Sequence, residues 1–430
     1  MLRVYKFGGA SIQDASAIRH LGELLAGKAP RPRAMVASAM GKTTNALEAL
    51  LQAARQDDEA LYRRRLAAIR DDHLDVAEAL FGPGSAVADE LEQRLAELDA
   101  AHHSHRDAPF PFHYDQTVGV GELLSTALVA AWLNEIGVAT RWCDARELIL
   151  TDDRHQAANI DWAPTRERIA SLEQVADEVL LTQGFIGATA DGAMTTLGRE
   201  GSDFSAAILA EALDADELTI WKDVPGVFNA DPRRFTNARQ IARLSYSEAL
   251  EQTWHGAKVI HPRTLAPLQP RGIPLTVRSF LEPEAAPTVI GPEPGEGDTL
   301  PACMLRDDQL LLEVSPSDGS FVDEALIATV LTQFAEAGLH ANLIDVEPLR
   351  LRLVVDNQPE RLAPALEALT ERFSVARQDG LVLLTVRHAD EALLEALDGG
   401  RTRVAERRNA TTAQRLYRAA ECPDSWRLPE

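Results

Sequence analysis

Apolar runs of a few residues alternate with helical periodicity through the first two thirds of the chain. Residues 2–7 form such a run, cut off by Gly8 and Gly9, and residues 14–25 then space apolar side chains three and four apart, as one face of a helix requires. Residues 33–38 and 46–55 repeat the plan across the turn AMGKTTN. The same reading predicts strands at 139–144, 176–182, 217–221 and 273–280, and helices at 123–136, 203–213 and 246–255. Repeated strand–turn–helix units predict an α/β fold, a mainly parallel sheet sandwiched by helices, with ligands at the carboxyl ends of the strands. Residues 55–107, rich in Ala, Leu, Arg and Glu and broken at Gly82-Pro83-Gly84, predict an inserted helical hairpin with solvated charged faces.

Proline and glycine crowd residues 282–301, and a domain boundary is expected there. It divides a domain of residues 1–290 from a linker at 291–305 and a region at 306–430. In that region the order is strand 310–314, helix 321–337, strands 341–346 and 350–355, helix 360–372 and strand 373–377, the ferredoxin-like α+β plan. A second, truncated copy without a full second helix is expected from 381–387, 390–397, 403–406 and 413–417.

No window holds the roughly 18 uninterrupted apolar residues of a membrane span, and the first residues lack a signal-peptide pattern, so a cytoplasmic protein without a membrane partner is expected. Cys143, Cys303 and Cys422 lack metal spacing and read as incidental thiols, and His102, His103 and His105 read as a surface loop. The net charge of −23, from 66 acidic and 43 basic residues, argues against nucleic acid as a partner. It also repels anionic substrates, which must then meet a local positive pocket. Lysine is confined to positions 6, 28, 42, 222 and 258, with arginine supplying the remaining basic charge. A compact ammonium kept in so lysine-poor a chain marks a candidate phosphate ligand. Lys28 reads as incidental, and Lys42 as either a phosphate contact or surface.

Candidate chemistry concentrates in residues 183–209, QGFIGATADGAMTTLGREGSDFSAAIL. Gly184, Gly187, Gly192, Gly198 and Gly201 allow close backbone approach, Thr195, Thr196, Arg199 and Ser202 supply donors, and Asp203 stands at a helix start, together an anion site. The GKTT fragment at 41–44 lacks the first glycine of a P-loop and is read as an ordinary turn.

Eight segments taken in order resemble the aspartate kinases of the amino-acid kinase superfamily, over essentially the whole chain. They are KFGGAS (6–11), VASAMGKTTN (36–45), GELLS (121–125), WCDAR (142–146), QGFIG with TTLGREGSDFSAA (195–207), KDVPGVFNADPR (222–233), GAKVIHPRT (256–264) and VRSF (277–280). Residues 306–430 are similar to the ACT-type regulatory modules of that family. The resemblance implies transfer of the ATP γ-phosphoryl group, with Mg²⁺ held mainly by phosphate oxygens and water, to the side-chain carboxylate of L-aspartate. The products would be 4-phospho-L-aspartate and ADP, in the first step of lysine, threonine and methionine biosynthesis. An aspartate carboxylate is already ionised at neutral pH, so no general base is required.

By the same resemblance Lys6 and Lys258 neutralise phosphoryl charge, Asp203 holds those lysines, and Gly8, Gly9 and Gly41 cradle phosphates. Arg199 takes the α-carboxylate, Glu122 the α-amino group, Thr44 and Ser202 add hydrogen bonds, and Phe185 shapes the pocket. Lys222, Asp223, Asp231 and Arg233 are implied nucleotide contacts. Ala10 replaces a common hydroxyl residue, and Glu200 a common glycine, with its side chain expected to point outward. A lysine or threonine effector and a homodimer or higher homo-oligomer are implied, although residues 342–348 lack the Ser/Thr-rich turn that accompanies effector contact. Rival readings are a glutamate or acetylglutamate kinase and an amino-acid-sensing protein with a silent kinase domain. The first do not combine GREGSD with ACT-like modules, and the second has no need of Lys6, Glu122, Arg199, Asp203 and Lys258 together. Residues 310–430 contain no G-x-G-x-x-G, so no homoserine dehydrogenase domain is expected there.

Overall fold

The computed structural model describes residues 1–27, 31–172, 178–257 and 260–428, the His103 side chain excepted. Lys28, Lys258 and the first residues of the strand expected at 176–182 therefore lie outside the described residues. The chain forms two units, Met1–Val227 with Ala242–Tyr246 and Ile260–Pro294, and Phe228–Ile241 with Ser247–Val259 and Gly295–Glu430.

The first unit is built on eight strands: β1 (Arg3–Phe7), β2 (Ala34–Ala37), β3 (Thr140–Cys143), β4 (Val179–Gln183), β5 (Glu217–Lys222), β6 (Arg243–Ser245), β7 (Leu275–Ser279) and β8 (Thr288–Gly291). They lie in the order β3-β4-β2-β1-β5-β7-β8-β6. All neighbours run parallel except β7 and β8. β1 and β2 are covered on both faces, which is why they read as continuous apolar runs and not as alternation. β8 falls inside the proline- and glycine-rich stretch 282–301: Thr288, Val289 and Ile290 are β-branched, and Thr288 Oγ1 accepts the Val227 N–H at 2.9 Å.

Helices α1 (Ala15–Ala26), α2 (Thr43–Arg55), α3 (Glu59–Phe81), α4 (Ala86–His105), α5 (Phe110–Val118), α6 (Val120–Glu135) and α7 (Gly201–Ala212) pack around this sheet or on one another. Asp14 caps α1 by accepting from the Ala17 N–H at 2.8 Å. The three histidines sit on α4, not on a loop. Leu91, Leu95, Leu98 and His102 make one buried stripe, and the His102 ring stacks on Tyr62 at 4.2 Å, so the helix runs through them. Among the described residues no group of three or more His, Cys, Asp or Glu side chains is placed to hold a metal ion. The run Phe110–Glu135 is long and apolar enough to cross a membrane, but 83% of its apolar window is buried inside the fold, as a core helix pair requires.

The second unit carries strands β9 (Ala302–Pro316), β10 (Ala341–Glu347), β11 (Arg350–Asp356), β12 (Phe373–Arg387), β13 (Ala405–Arg408) and β14 (Thr412–Arg418), in the order β10-β11-β9-β12-β14-β13 and antiparallel throughout. The strands expected separately at 373–377 and 381–387 are one continuous β12. β9 also starts earlier than expected, pairing Ala302–Arg306 with 383–387 before its register shifts between Arg306 and Leu311. Asp308 and Gly380, both at positive φ, mark this irregularity, and the bulge lets two ferredoxin-like halves share their central strands. Helices α8 (Glu324–Glu336) and α9 (Pro359–Thr370) cover the first half, and α10 (Glu391–Asp398) the second. The described residues of the second half contain no second helix. Phe235 and Trp426, stacked at 6.1 Å, instead join Leu384, Val386 and Leu394 in one apolar cluster.

One buried ion pair ties this sheet to the helix Tyr246–Trp254. Arg387 Nε and Nη2 donate to the two oxygens of Glu248 at 2.8 and 2.7 Å, and Nη1 donates to Thr412 at 2.8 Å. Burial opposes the Glu248 charge, but Arg387 and His388 reverse this and hold its carboxyl below the ordinary range. Arg387→Met should therefore leave a buried carboxylate short of its partner and cost about 3 kcal/mol in urea unfolding at pH 7. An unchanged midpoint would show the pair to be energetically neutral.

Candidate active site

Strand ends and helix starts of the first unit meet at one cavity of about 590 Å³. Lys6 comes from the end of β1, Glu122 from the first turn of α6, and Ser202 and Asp203 from the first turn of α7. Lys6, Thr44, Glu122, Phe185, Arg199, Ser202 and Asp203 all line it, so seven residues scattered over two hundred positions share one space.

Lys6 Nζ lies 2.7 Å from Asp203 Oδ1, and Lys222 Nζ lies 3.6 Å from Oδ2. Asp203 is fully buried. Burial alone would push its carboxyl up, but the Lys6 and Lys222 ammonium groups more than reverse this and hold it below the usual carboxylate range. The result is a fixed anion with two cations aimed at one place. Glu122 is the opposite case: one oxygen accepts from the Ala39 N–H at 3.3 Å, and the other has no protein partner. Burial pushes its carboxyl up to about 8, against the pull of that N–H and of Lys6. The site thus holds one carboxylate charged and one carboxyl waiting for a cation.

The glycines have steric reasons. A Cβ on Gly9 would sit 2.7 Å from the Ala39 carbonyl oxygen, and the Gly41 N–H donates to the Gly9 carbonyl at 3.1 Å, lacing together the turns that follow β1 and β2. A Cβ on Gly184 would sit 2.5 Å from that of Ser202. Phe185, held at φ 69° with its N–H donated to Ser205 Oγ at 3.0 Å, closes over the start of α7. Arg263 braces the next turn by donating to the Leu197 carbonyl at 2.6 Å.

Gly8 is half-buried beside Lys6, where a Cβ would lie 3.5 Å from the Lys6 Nζ. Asp223 is exposed beyond β5, and Lys42 is exposed at the start of α2. Asp231 and Arg233 pair with each other at 2.9 Å and belong to the second unit. Lys258 lies outside the described residues. Lys222, expected at the nucleotide, reaches Asp203 at 3.6 Å. Glu200 stays exposed and yet lines the cavity, so it does not point simply outward. Ser38, Tyr114 and Gln156 line the cavity without having been expected there.

The sequence pattern of the amino acid kinase family matches residues 1–279. The chain is also 34% identical over 355 residues to lysine-sensitive aspartokinase 3 of Escherichia coli (strain K12), across 82% of this chain and 78% of that one. The chain belongs to the amino acid kinase family, among its aspartokinases. Its structure matches E. coli aspartokinase III in complex with aspartate and ADP with a TM-score of 0.83 at 30% identity, over 98% of this chain and 97% of the other. Against the same E. coli aspartokinase in complex with lysine and aspartate the TM-score is 0.82 at 29% identity, over 98% and 96%. The aspartokinase likeness thus extends through both units.

Proposed function

We infer that this aspartokinase transfers the γ-phosphoryl group of ATP to the side-chain carboxylate of L-aspartate. The observation that carries the reading is the charge order around one cavity: Lys6 in its wall and Lys222 behind it both on the buried Asp203, a buried glutamate with one oxygen lacking a protein partner, and an exposed arginine. A zwitterionic amino acid needs an anion for its ammonium and a cation for its α-carboxylate, and Glu122 and Arg199 supply them. The remaining carboxylate is ionised and nucleophilic without a base. Lys6 and Lys222, fixed by Asp203, neutralise charge on the phosphoryl group in transfer, which is where such enzymes obtain their rate. Gly8, Gly9 and Gly41 offer backbone amides to phosphates, and Lys258 is assigned to the same charge. Thr44 and Ser202 add hydrogen bonds to the amino acid.

Mg²⁺ enters with the nucleotide as part of the substrate. It is held chiefly by phosphate oxygens and water. Lys222, Asp223, Asp231 and Arg233 remain the proposed nucleotide contacts. The lysine-sensitive E. coli relative and the lysine-bound E. coli structure support lysine as feedback effector of this chain, and a homo-oligomeric, cytoplasmic enzyme is the accompanying proposal. ATP-dependent hydroxamate formation from aspartate and hydroxylamine tests the reading, with glutamate as control. Product from aspartate and not glutamate, reduced by added lysine, is expected; no product from aspartate overturns the assignment.

A further inference from the structure

Gln156 carries backbone strain at the cavity wall. It holds φ at 69°, a region that costs a residue with a Cβ and costs glycine nothing, and it lines the cavity. Such strain persists where the surroundings over-determine it. Here they do: the buried Asp115 carboxylate accepts the Gln156 N–H at 3.1 and 3.2 Å, His155 Nδ1 lies 2.7 Å from Asp115 Oδ2, and Thr196 Oγ1 donates to Oδ1 at 2.6 Å. On its other side the Gln156 carbonyl abuts Gly198, where a Cβ would come within 3.0 Å of it. Gly198 immediately precedes Arg199, so the Gln156 backbone meets the turn that carries Arg199, and both residues line the cavity.

We propose that Gln156 is a substrate-binding residue whose side-chain amide donates to the α-carboxylate held by Arg199, and that Asp115 and His155 are positioning residues that fix its backbone. The inference rests on the aspartate kinase reading and adds to it a contact, a support and a direction. An amide suits this place better than a second cation. Arg199 already supplies the charge, Glu200 stands beside it, and a neutral donor adds direction to the carboxylate without drawing the phosphate tail of ATP to the amino-acid end. Asp115 is tied to three groups of the 155–196 region, so its hydrogen bonds convert a loop with no helical or strand periodicity into a rigid wall.

Gln156→Gly separates contact from scaffold, because glycine adopts this backbone without strain. KM for aspartate should rise about tenfold, the scale of one hydrogen bond to a charged group, while KM for ATP and the melting temperature do not worsen. An unchanged KM for aspartate overturns the contact. Asp115→Asn should raise KM for aspartate in the parent chain and add little in the Gln156→Gly background; equal effects in both backgrounds overturn the positioning role. Calorimetric titration of aspartate into the same proteins keeps this inference apart from the kinase reading. Weaker binding in Gln156→Gly without turnover by the parent protein would sink the kinase reading and leave the contact standing. Turnover with undiminished binding in Gln156→Gly would sink the contact alone.

Discussion

A Lys6→Met variant is expected to lose roughly a thousandfold in kcat and to unfold more readily, because the same ammonium serves both ends. On the catalytic side, removal of one charge-stabilising donor from a buried transition-state site typically costs 10²- to 10³-fold. Lys6 sits at the upper end of that range because it is buried and fixed at 2.7 Å by Asp203. On the structural side, Lys222, at 3.6 Å, is the cation left on Asp203 among the described residues against its desolvation. A loss of about 2 kcal/mol follows, below the 3–5 kcal/mol of a fully broken buried pair because one cation remains. The pH dependence has a definite sign. The folded Asp203 carboxyl lies below its ordinary value, so it contributes stability above the ordinary carboxylate range and loses it as pH falls through the folded value. Without Lys6 the desolvation goes less opposed, the carboxyl rises, and the loss begins at a higher pH. Urea unfolding of both proteins at pH 7 and pH 4.5, beside steady-state kinetics at pH 7, measures all of this. Equal kcat in the two proteins would remove Lys6 from the phosphoryl site.

Much of that arrangement is readable from residue types in order, and the unread parts have specific physical causes. Lys6 precedes two glycines at the end of an apolar run, so its place at a strand's carboxyl end follows from the chain alone. Asp203 and Glu122 each stand just after a glycine at the expected start of a helix, where a carboxylate meets the positive end of the helix dipole, and in the structure each is the third residue of its helix. The Lys222–Asp203 contact was not readable, because it depends on strand order. β5 pairs parallel to β1 with Ile220 opposite Lys6, so Lys222 projects two residues further along on the same face. No local pattern specifies that neighbour. Gln156 was invisible for another reason: residues 152–159 have neither period, and the residue's importance comes from a left-handed backbone that sequence marks only when glycine occupies it. The continuous β12 was misread as two strands since Gly380 looks like a turn, and only the matching irregularity at Asp308 on β9 shows it to be a bulge.

Glu122→Gln should make the free protein more stable at high pH and nearly useless as a catalyst. In the folded protein the Glu122 carboxyl is pushed up to about 8 from an ordinary value of 4.5. The folded state therefore holds a proton that the unfolded chain releases. Its contribution is intact below the ordinary value and is lost as pH rises through 8, a penalty on the order of 5 kcal/mol by pH 9. Glutamine has no such titration, so the variant should match the parent near pH 5 and exceed it at pH 9 by urea unfolding. Binding runs the other way. The substrate ammonium requires the ionised carboxylate, so the parent's kcat/KM for aspartate should climb with pH to a plateau near 8, while the variant's KM for aspartate rises 100-fold or more and its slope flattens. Bound aspartate should also stabilise the parent most above pH 8, where its ammonium replaces the missing counter-charge. A variant no more stable than the parent at pH 9 would mean that Glu122 ionises at an ordinary pH. The buried oxygen without a protein partner would then already be satisfied, and the site would have no stored demand for a cation.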